Sequence, residues 1–213
     1  VVDFSAPSFV KICGVTRIDD VEVTISAGAD ALGLILASSP RQISLEMATN
    51  LALAAKNRID VVAVFRDQAD QWILDAIDEV GPDVVQLHGS LSDGLFDGIR
   101  QRDVQLVKAL VIGSDEFTNF DDRRVDAVLI DGSRPGSGVA HSWEALVRRT
   151  FCVPVIAAGG LNPDNVASEI ALSMAWGVDT ASGVEAAPGA KDPTLVRRFV
   201  ENARRAFVDR EEK

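Results

Sequence analysis

Short apolar runs rich in Val, Ile, Leu and Ala alternate along this chain with longer stretches whose apolar positions recur every three to four residues. The short runs predict strands over Phe9–Cys13, Ala31–Leu36, Val61–Phe65, Val84–Leu87, Leu106–Leu110, Ala127–Ile130, Val153–Ala157 and Gly177–Thr180. The longer stretches predict helices near Ile18–Ala27, Leu45–Lys56, Gln71–Val80, Leu91–Arg100, Trp143–Arg149, Pro163–Leu172 and Pro193–Phe207, with a weaker one near Asp115–Asp122. Strands return about every 20–30 residues, the spacing of βα units in a parallel sheet. Eight such units predict an α/β fold, a single (β/α)8 barrel over residues 1–213, with 209–213 expected as a frayed tail. An open doubly wound sheet uses the same units, but its usual early Gly-x-Gly-x-x-Gly fingerprint is missing.

Several boundaries have a physical cause. Gly28-Ala29-Asp30 closes the first helix, with glycine free to take the left-handed cap. Asn162-Pro163 is expected to start the seventh helix, Asn162 as cap and Pro163 in the first turn where no donor is lost. Asp192-Pro193 is expected to do the same for the last helix. No linker, low-complexity tract or second domain interrupts the pattern.

Composition narrows the function. Hydrophobic residues make up 47% of the chain, enough to bury a core without staples. A net charge of −11 without a basic stripe argues against nucleic acid or an anionic membrane as partner. It leaves room for an anionic small molecule, whose phosphate needs only local amides and a cation or two. Cys13 and Cys152 are too few for a disulfide framework and lack metal-ligand spacing, so no metal is expected. No apolar run approaches a membrane span and no leader is evident at the start, which makes a cytoplasmic protein the expectation.

A barrel of this kind builds its site at the carboxyl ends of its strands. The unusual polar residues there are Cys13, Arg41, His88, Asp131, Gly159-Gly160 and the segment Asp179 through Glu185. In Lys11-Ile12-Cys13-Gly14, strand alternation puts Lys11 and Cys13 on one face and Ile12 on the other. Cys13 is then either a small core filler or, if cations and helix ends favour its thiolate, a proton-transfer group. Asp131 ends an apolar strand; it is either a cap for the Asp131-Gly132 turn or a carboxyl that supplies a proton. Gly159-Gly160-Leu161 before one helix and Ser182-Gly183 after the last strand together favour a phosphate cradle over two ordinary turns. Arg41, in Ser39-Pro40-Arg41, has a fork suited to a carboxylate, or is a solvated loop arginine. His88 either contacts substrate or is a hydrogen-bonded structural imidazole. Cys152, at the opposite barrel end, and Trp72, Trp143 and Trp176 are expected to pack.

These segments closely resemble the phosphoribosylanthranilate isomerase family of tryptophan biosynthesis. The resemblance spans nearly the whole chain: Lys11-Ile12-Cys13-Gly14, Ser39-Pro40-Arg41, Gln86-Leu87-His88-Gly89, Asp131, Ala158-Gly159-Gly160-Leu161 with Asn165, and Ser182-Gly183-Val184-Glu185 through Gly189, Lys191 and Asp192. It implies an aldose–ketose isomerase performing an Amadori rearrangement on a phosphosugar, without metal or organic cofactor, as a monomer or homodimer. It implies Cys13 as general base at the sugar C2′ and Asp131 as general acid at the ring oxygen. It implies Arg41 on the anthranilate carboxylate, His88 and Asp179 as further substrate contacts, and Gly159, Gly160, Ser182 and Gly183 around the phosphate.

The chain also departs from the family pattern. Pro135-Gly136-Ser137-Gly138 stands for Gly-Gly-Thr-Gly, and His141-Ser142-Trp143 for aromatic–acid–Trp. Leu34 and Leu36 stand where phenylalanines are usual, and Ala181 where a second serine is common. A looser anthranilate pocket or slower turnover is the expectation from these changes. A related isomerase of histidine biosynthesis performs the same rearrangement with an aspartate where Cys13 stands, and a catalytically silent phosphosugar-binding barrel would have lost Cys13 or Asp131.

Overall fold

The computed structural model describes residues 2–132 and 143–211. Eight strands, β1 Phe9–Cys13, β2 Ala31–Ile35, β3 Asp60–Arg66, β4 Val84–His88, β5 Gln105–Val111, β6 Ala127–Asp131, β7 Val155–Ala158 and β8 Gly177–Thr180, pair in chain order. Every neighbouring pair is parallel, and β1 joins β8 to close a TIM barrel. The helices are α1 Ile18–Ser26, α2 Leu45–Ala55, α3 Asp70–Val80, α4 Asp93–Arg100, α5 Asp115–Asn119, α6 Glu144–Val147, α7 Val166–Ser173 and α8 Pro193–Glu211.

Period-two alternation divides the apolar strand residues into two cores. Val10, Ile12, Leu32, Leu34, Ala63, Phe65, Val85 and Leu87 face outward and pack with helix residues such as Leu51, Ile73, Ile77 and Phe199. Phe9, Ala31, Val62, Val64, Val84, Val107, Leu129 and Ile156 face inward and fill the barrel. Full burial of one such aliphatic side chain contributes roughly 1.5–3 kcal/mol, so the outer layer is the larger source of stability. The amino-terminal segment plugs the bottom: Phe9 stacks on Trp176 at 5.2 Å, Phe4 tilts against it, and the Trp176 indole donates to the Ala6 carbonyl. Trp143 is buried, whereas Trp72 is 41% exposed and lies edge-on to Phe65, so it covers the core more than it belongs to it.

The ends of parallel strands leave amides that need partners. Aspartates just before β2, β4 and β6 meet this need across the barrel's bottom. Asp30 accepts from the Val10 amide, Asp83 from Val61 and Asp126 from Leu106, at 2.6, 2.9 and 2.7 Å. Arg204 of α8 binds the other oxygen of Asp30, tying the last helix to the first strand.

Some boundaries differ from the sequence expectation. Strand β7 begins at Val155 because Pro154 has no N–H for the ladder and contributes only its carbonyl, which accepts from Val128. The α7 helix begins at Val166, not Pro163; Asn162 instead closes a turn, its side chain accepting from the amides of Asp164 and Asn165. Asp192 does cap α8, accepting from the Thr194 and Leu195 amides. Asp209–Glu211, expected to fray, continue that helix. Arg210 holds it by stacking over Phe207 and donating to the Ala175 carbonyl. A hairpin not foreseen from the pattern, β9 Glu185–Ala187 and β10 Ala190–Lys191, turns through Gly189 in the left-handed region.

Asp30→Ala should lower the unfolding free energy by about 1–3 kcal/mol, since it strands a fully buried amide. Turnover should be unchanged, because the change lies at the end opposite the strand carboxyl termini. Urea titration and a steady-state assay check both parts.

Candidate active site

Cys13 is the last residue of β1, His88 of β4 and Asp131 of β6. In a closed, all-parallel barrel those three ends share one mouth. Arg41 follows β2, Gly159-Gly160 follows β7, and Ser182-Gly183 follows β8, so their loops reach the same mouth. Cys152 precedes β7 and lies at the other end. It is exposed rather than packed, and its amide donates to the Asp122 carboxylate.

Beneath Cys13 lies a buried charge cluster. Lys11, 1% exposed, donates to Asp179 Oδ1 at 2.9 Å and to Gln86 Oε1 at 3.0 Å. Burial pulls this lysine downward, but Asp179 and Cys13 outweigh it and lift it above its ordinary value. Burial pushes the Cys13 thiol up, while the Lys11 and Lys191 cations pull it back. Asp179, expected at the mouth as a substrate contact, lies opposite Lys11 on β8 and is 8% exposed; its partner here is that lysine. Gly33 makes the space: a Cβ there would stand 2.6 Å from the Cys13 sulfur and 3.1 Å from Lys11 Cε.

A second network holds the chain around the thiol. Buried Lys191 donates to the carbonyls of Cys13 and Ala181 and to Glu185, at 2.6, 3.0 and 3.0 Å. Glu185 also receives Arg41 Nε and Nη2, each at 2.7 Å. The arginine fork is therefore occupied by Glu185, and Nη1 is its edge away from that carboxylate. Gly14, with φ of 72°, lets Arg41 pass: a Cβ would come within 2.6 Å of Arg41 Cδ.

His88 is neutral in this setting. Burial, then the Arg66 cation, push its pKa down to about 4, while Asp131 acts in the opposite sense. Gln86 Nε2 lies 3.0 Å from His88 Nε2, and Arg66 Nη2 lies 3.2 Å from Nδ1.

The two glycine turns interlock. Gly159 and Gly160 have φ of 95° and 71°, a region that favours glycine. Gly183 packs so tightly on the Leu161 carbonyl that a Cβ would lie 1.9 Å from its oxygen. The Asn165 side chain receives the Asn162 amide and donates to the Gly160 carbonyl, holding the first turn in shape.

Residues 10–202 match the family model of N-(5′-phosphoribosyl)anthranilate isomerase. The chain belongs to the phosphoribosylanthranilate isomerase family. An isomerase of this name from Rhodopseudomonas palustris (strain BisA53) is 39% identical over 210 residues, covering 93% of this chain and 96% of the relative. The crystal structure of the Thermotoga maritima phosphoribosylanthranilate isomerase has a TM-score of 0.83 at 33% identity, covering 92% of this chain and 98% of that one. Another family structure, at TM-score 0.77, 30% identity and coverage of 92% and 98%, is a complex with reduced 1-(o-carboxyphenylamino)-1-deoxyribulose 5-phosphate.

Two departures from the phosphoribosylanthranilate isomerase pattern lose their expected meaning. Leu34 and Leu36 point away from the mouth and are buried beneath the helices, so they cannot loosen a pocket there. Ala181 contributes its carbonyl to Lys191, which a serine would do equally. Pro135-Gly136-Ser137-Gly138 and His141-Ser142 lie outside the described residues. Among the described residues no group of acidic, His or Cys side chains could hold a metal, and no helix is long and apolar enough to cross a membrane.

Sequence reasoning assigned no role to Lys11, Gln86, Glu185 or Lys191. Alternation put Lys11 on the same face as Cys13, and the same rule applied to Gln86, two positions before His88, was the available signal.

If the thiol acts as a base, Lys11→Met should move the acid limb of kcat/KM to higher pH. Removing the cation lifts a thiol that burial has already raised, so a given thiolate fraction needs a higher pH. A pH profile of both proteins measures the displacement.

Proposed function

We propose that this chain performs the family's Amadori rearrangement, converting N-(5-phosphoribosyl)anthranilate to 1-(2-carboxyphenylamino)-1-deoxyribulose 5-phosphate, with Cys13 and Asp131 as base and acid. The observation that carries this reading is that the two residues end β1 and β6 of one closed parallel barrel. A thiol and a carboxyl are then presented at a single mouth, the arrangement that proton transfer at two neighbouring sugar atoms requires.

Asp131 gives its proton to the furanose ring oxygen as the C1′–O bond breaks, and the anilino nitrogen pair closes a C1′=N bond. The Cys13 thiolate removes the C2′ proton; that electron pair forms C1′=C2′ and returns a pair to nitrogen. The enolamine then ketonises, losing the 2′-hydroxyl proton and gaining one at C1′. C2′ is oxidised and C1′ reduced within the same molecule, so the reaction draws on no external electron carrier. Lys11 supports the thiolate from below, with Asp179 as its counterion.

Arg41, held by Glu185, offers its Nη1 edge to the anthranilate carboxylate. The loops at Gly159-Gly160 and Ser182-Gly183 suit the phosphate, because glycine lets backbone amides approach an anion closely. The reduced product bound by the relative described above carries the same carboxylate and phosphate at its two ends. His88 faces the sugar between them.

Cys13→Ser and Asp131→Asn should each lower kcat by at least ~10²-fold, the usual contribution of general acid or base catalysis. Circular dichroism should show both folded. Substrate made in situ and followed by loss of anthranilate fluorescence provides the rate; near-wild-type turnover in folded Cys13→Ser would sink the base assignment.

Arg41→Ala should instead raise KM by about 10–100-fold with kcat within a few-fold, since a charge-assisted contact of about 1.5–3 kcal/mol is made in ground and transition states alike. The same assay under varied substrate separates the two constants.

A further inference from the structure

The His88 ring faces two side-chain nitrogens that donate, Gln86 Nε2 and Arg66 Nη2. A neutral imidazole has one N–H and one lone pair, so it can accept from only one of them. The orientation of Gln86 decides which. Its Oε1 accepts from Lys11 Nζ, and an ammonium has donors alone, so the amide must turn its NH2 toward His88. Flipping that amide would set NH2 against the ammonium inside the barrel.

The two contacts with the ring are not equal. Gln86 is 3% exposed, whereas Arg66 is exposed at the rim and can turn to water. A donor left without a partner costs more inside than at the surface. Nε2 therefore takes the Gln86 N–H, and the ring proton resides on Nδ1, the nitrogen on the side of Arg66.

We propose that Gln86 is a positioning residue for the isomerisation: it relays the polarity of buried Lys11 to His88 and fixes the Nδ1–H tautomer. Neutral His88 then offers Nδ1–H to an oxygen of the phosphosugar, which takes the place of Arg66 beside the ring. This rests on the reading of His88 as a substrate contact, and it adds a residue and a direction that the family roles assigned above do not contain. The depressed pKa of His88, which comes first from burial and then from the Arg66 cation, keeps the ring neutral, as this arrangement requires.

The chain has only two histidines, so the test is direct. Long-range proton–nitrogen spectra of the 15N-labelled full-length protein, compared with His141→Asn for assignment, report which ring nitrogen of His88 carries the proton. The expected result at pH 7 is Nδ1–H with Nε2 bare; Nε2–H in the wild type would overturn the proposal. Gln86→Glu keeps the shape and the bond from Lys11 but can only accept at its other oxygen, so His88 should gain a proton on Nε2. An unchanged His88 pattern in that variant would also overturn it.

In the isomerase assay Gln86→Glu and His88→Ala should each raise KM by about 2–10-fold, the worth of one hydrogen bond. Thermal unfolding confirms that both variants fold. An unchanged KM in His88→Ala would overturn the substrate contact on which the inference rests. That failure is distinguishable from failure of the relay, because the tautomer is read on the free enzyme.

Discussion

A lysine ammonium buried inside the barrel is the constraint around which this molecule is arranged. An isolated buried charge is prohibitive unless it is paired and hydrogen-bonded. Lys11 meets that condition through Asp179, its register partner across β1 and β8, the seam that closes the sheet. Closure of the barrel and neutralisation of the charge are thus the same event. Gln86 takes a further ammonium proton, so the one lysine is bonded to side chains of both β8 and β4.

Burial and charge act on Cys13 in opposite senses, and their balance defines what the thiol can do. Desolvation alone would make it the inert small hydrophobe that most buried cysteines are. Lys11 below and Lys191 beside it favour the thiolate, yet Asp179 reduces the effect of the first, and Glu185 is paired with the second. The thiol consequently stays above its ordinary value, a stronger base once ionised but ionised less often near neutral pH.

The barrel was legible because its evidence is repeated: eight apolar runs, each followed by a helical period, allow few other closures. The mouth residues were legible for the same reason, since the end of a strand is marked by where the apolar run stops. The interior polar layer was not. Lys11 and Gln86 lie inside otherwise apolar strands, and their partners are 168 and 75 residues distant, so nothing local announces that their polar groups are satisfied. Glu185 and Lys191 escaped a role because they belong to a hairpin too short to show alternation. Gly33 looked like an ordinary strand residue, while its significance is steric and comes from the neighbouring strand. The start of α7 failed for a different reason: Asn-Pro is equally good chemistry for a cap and for a turn, and the Asn165 bonds to the glycine loop tip the choice toward the turn.

The proposed base and the proposed carboxylate clamp are also not independent. Lys191 has three donors and uses them on the Cys13 carbonyl, the Ala181 carbonyl and Glu185. Glu185 in turn holds the Arg41 fork with both oxygens, while Gly14, the residue after the thiol, is the surface against which Arg41 packs. A single buried cation therefore bonds the end of β1 directly and, through Glu185, the arginine proposed to face the aromatic acid. In the proposed reaction the sugar carbon meets the thiol while Arg41 holds the anthranilate carboxylate, so the spacing of Cys13 and Arg41 is the quantity this network ties together.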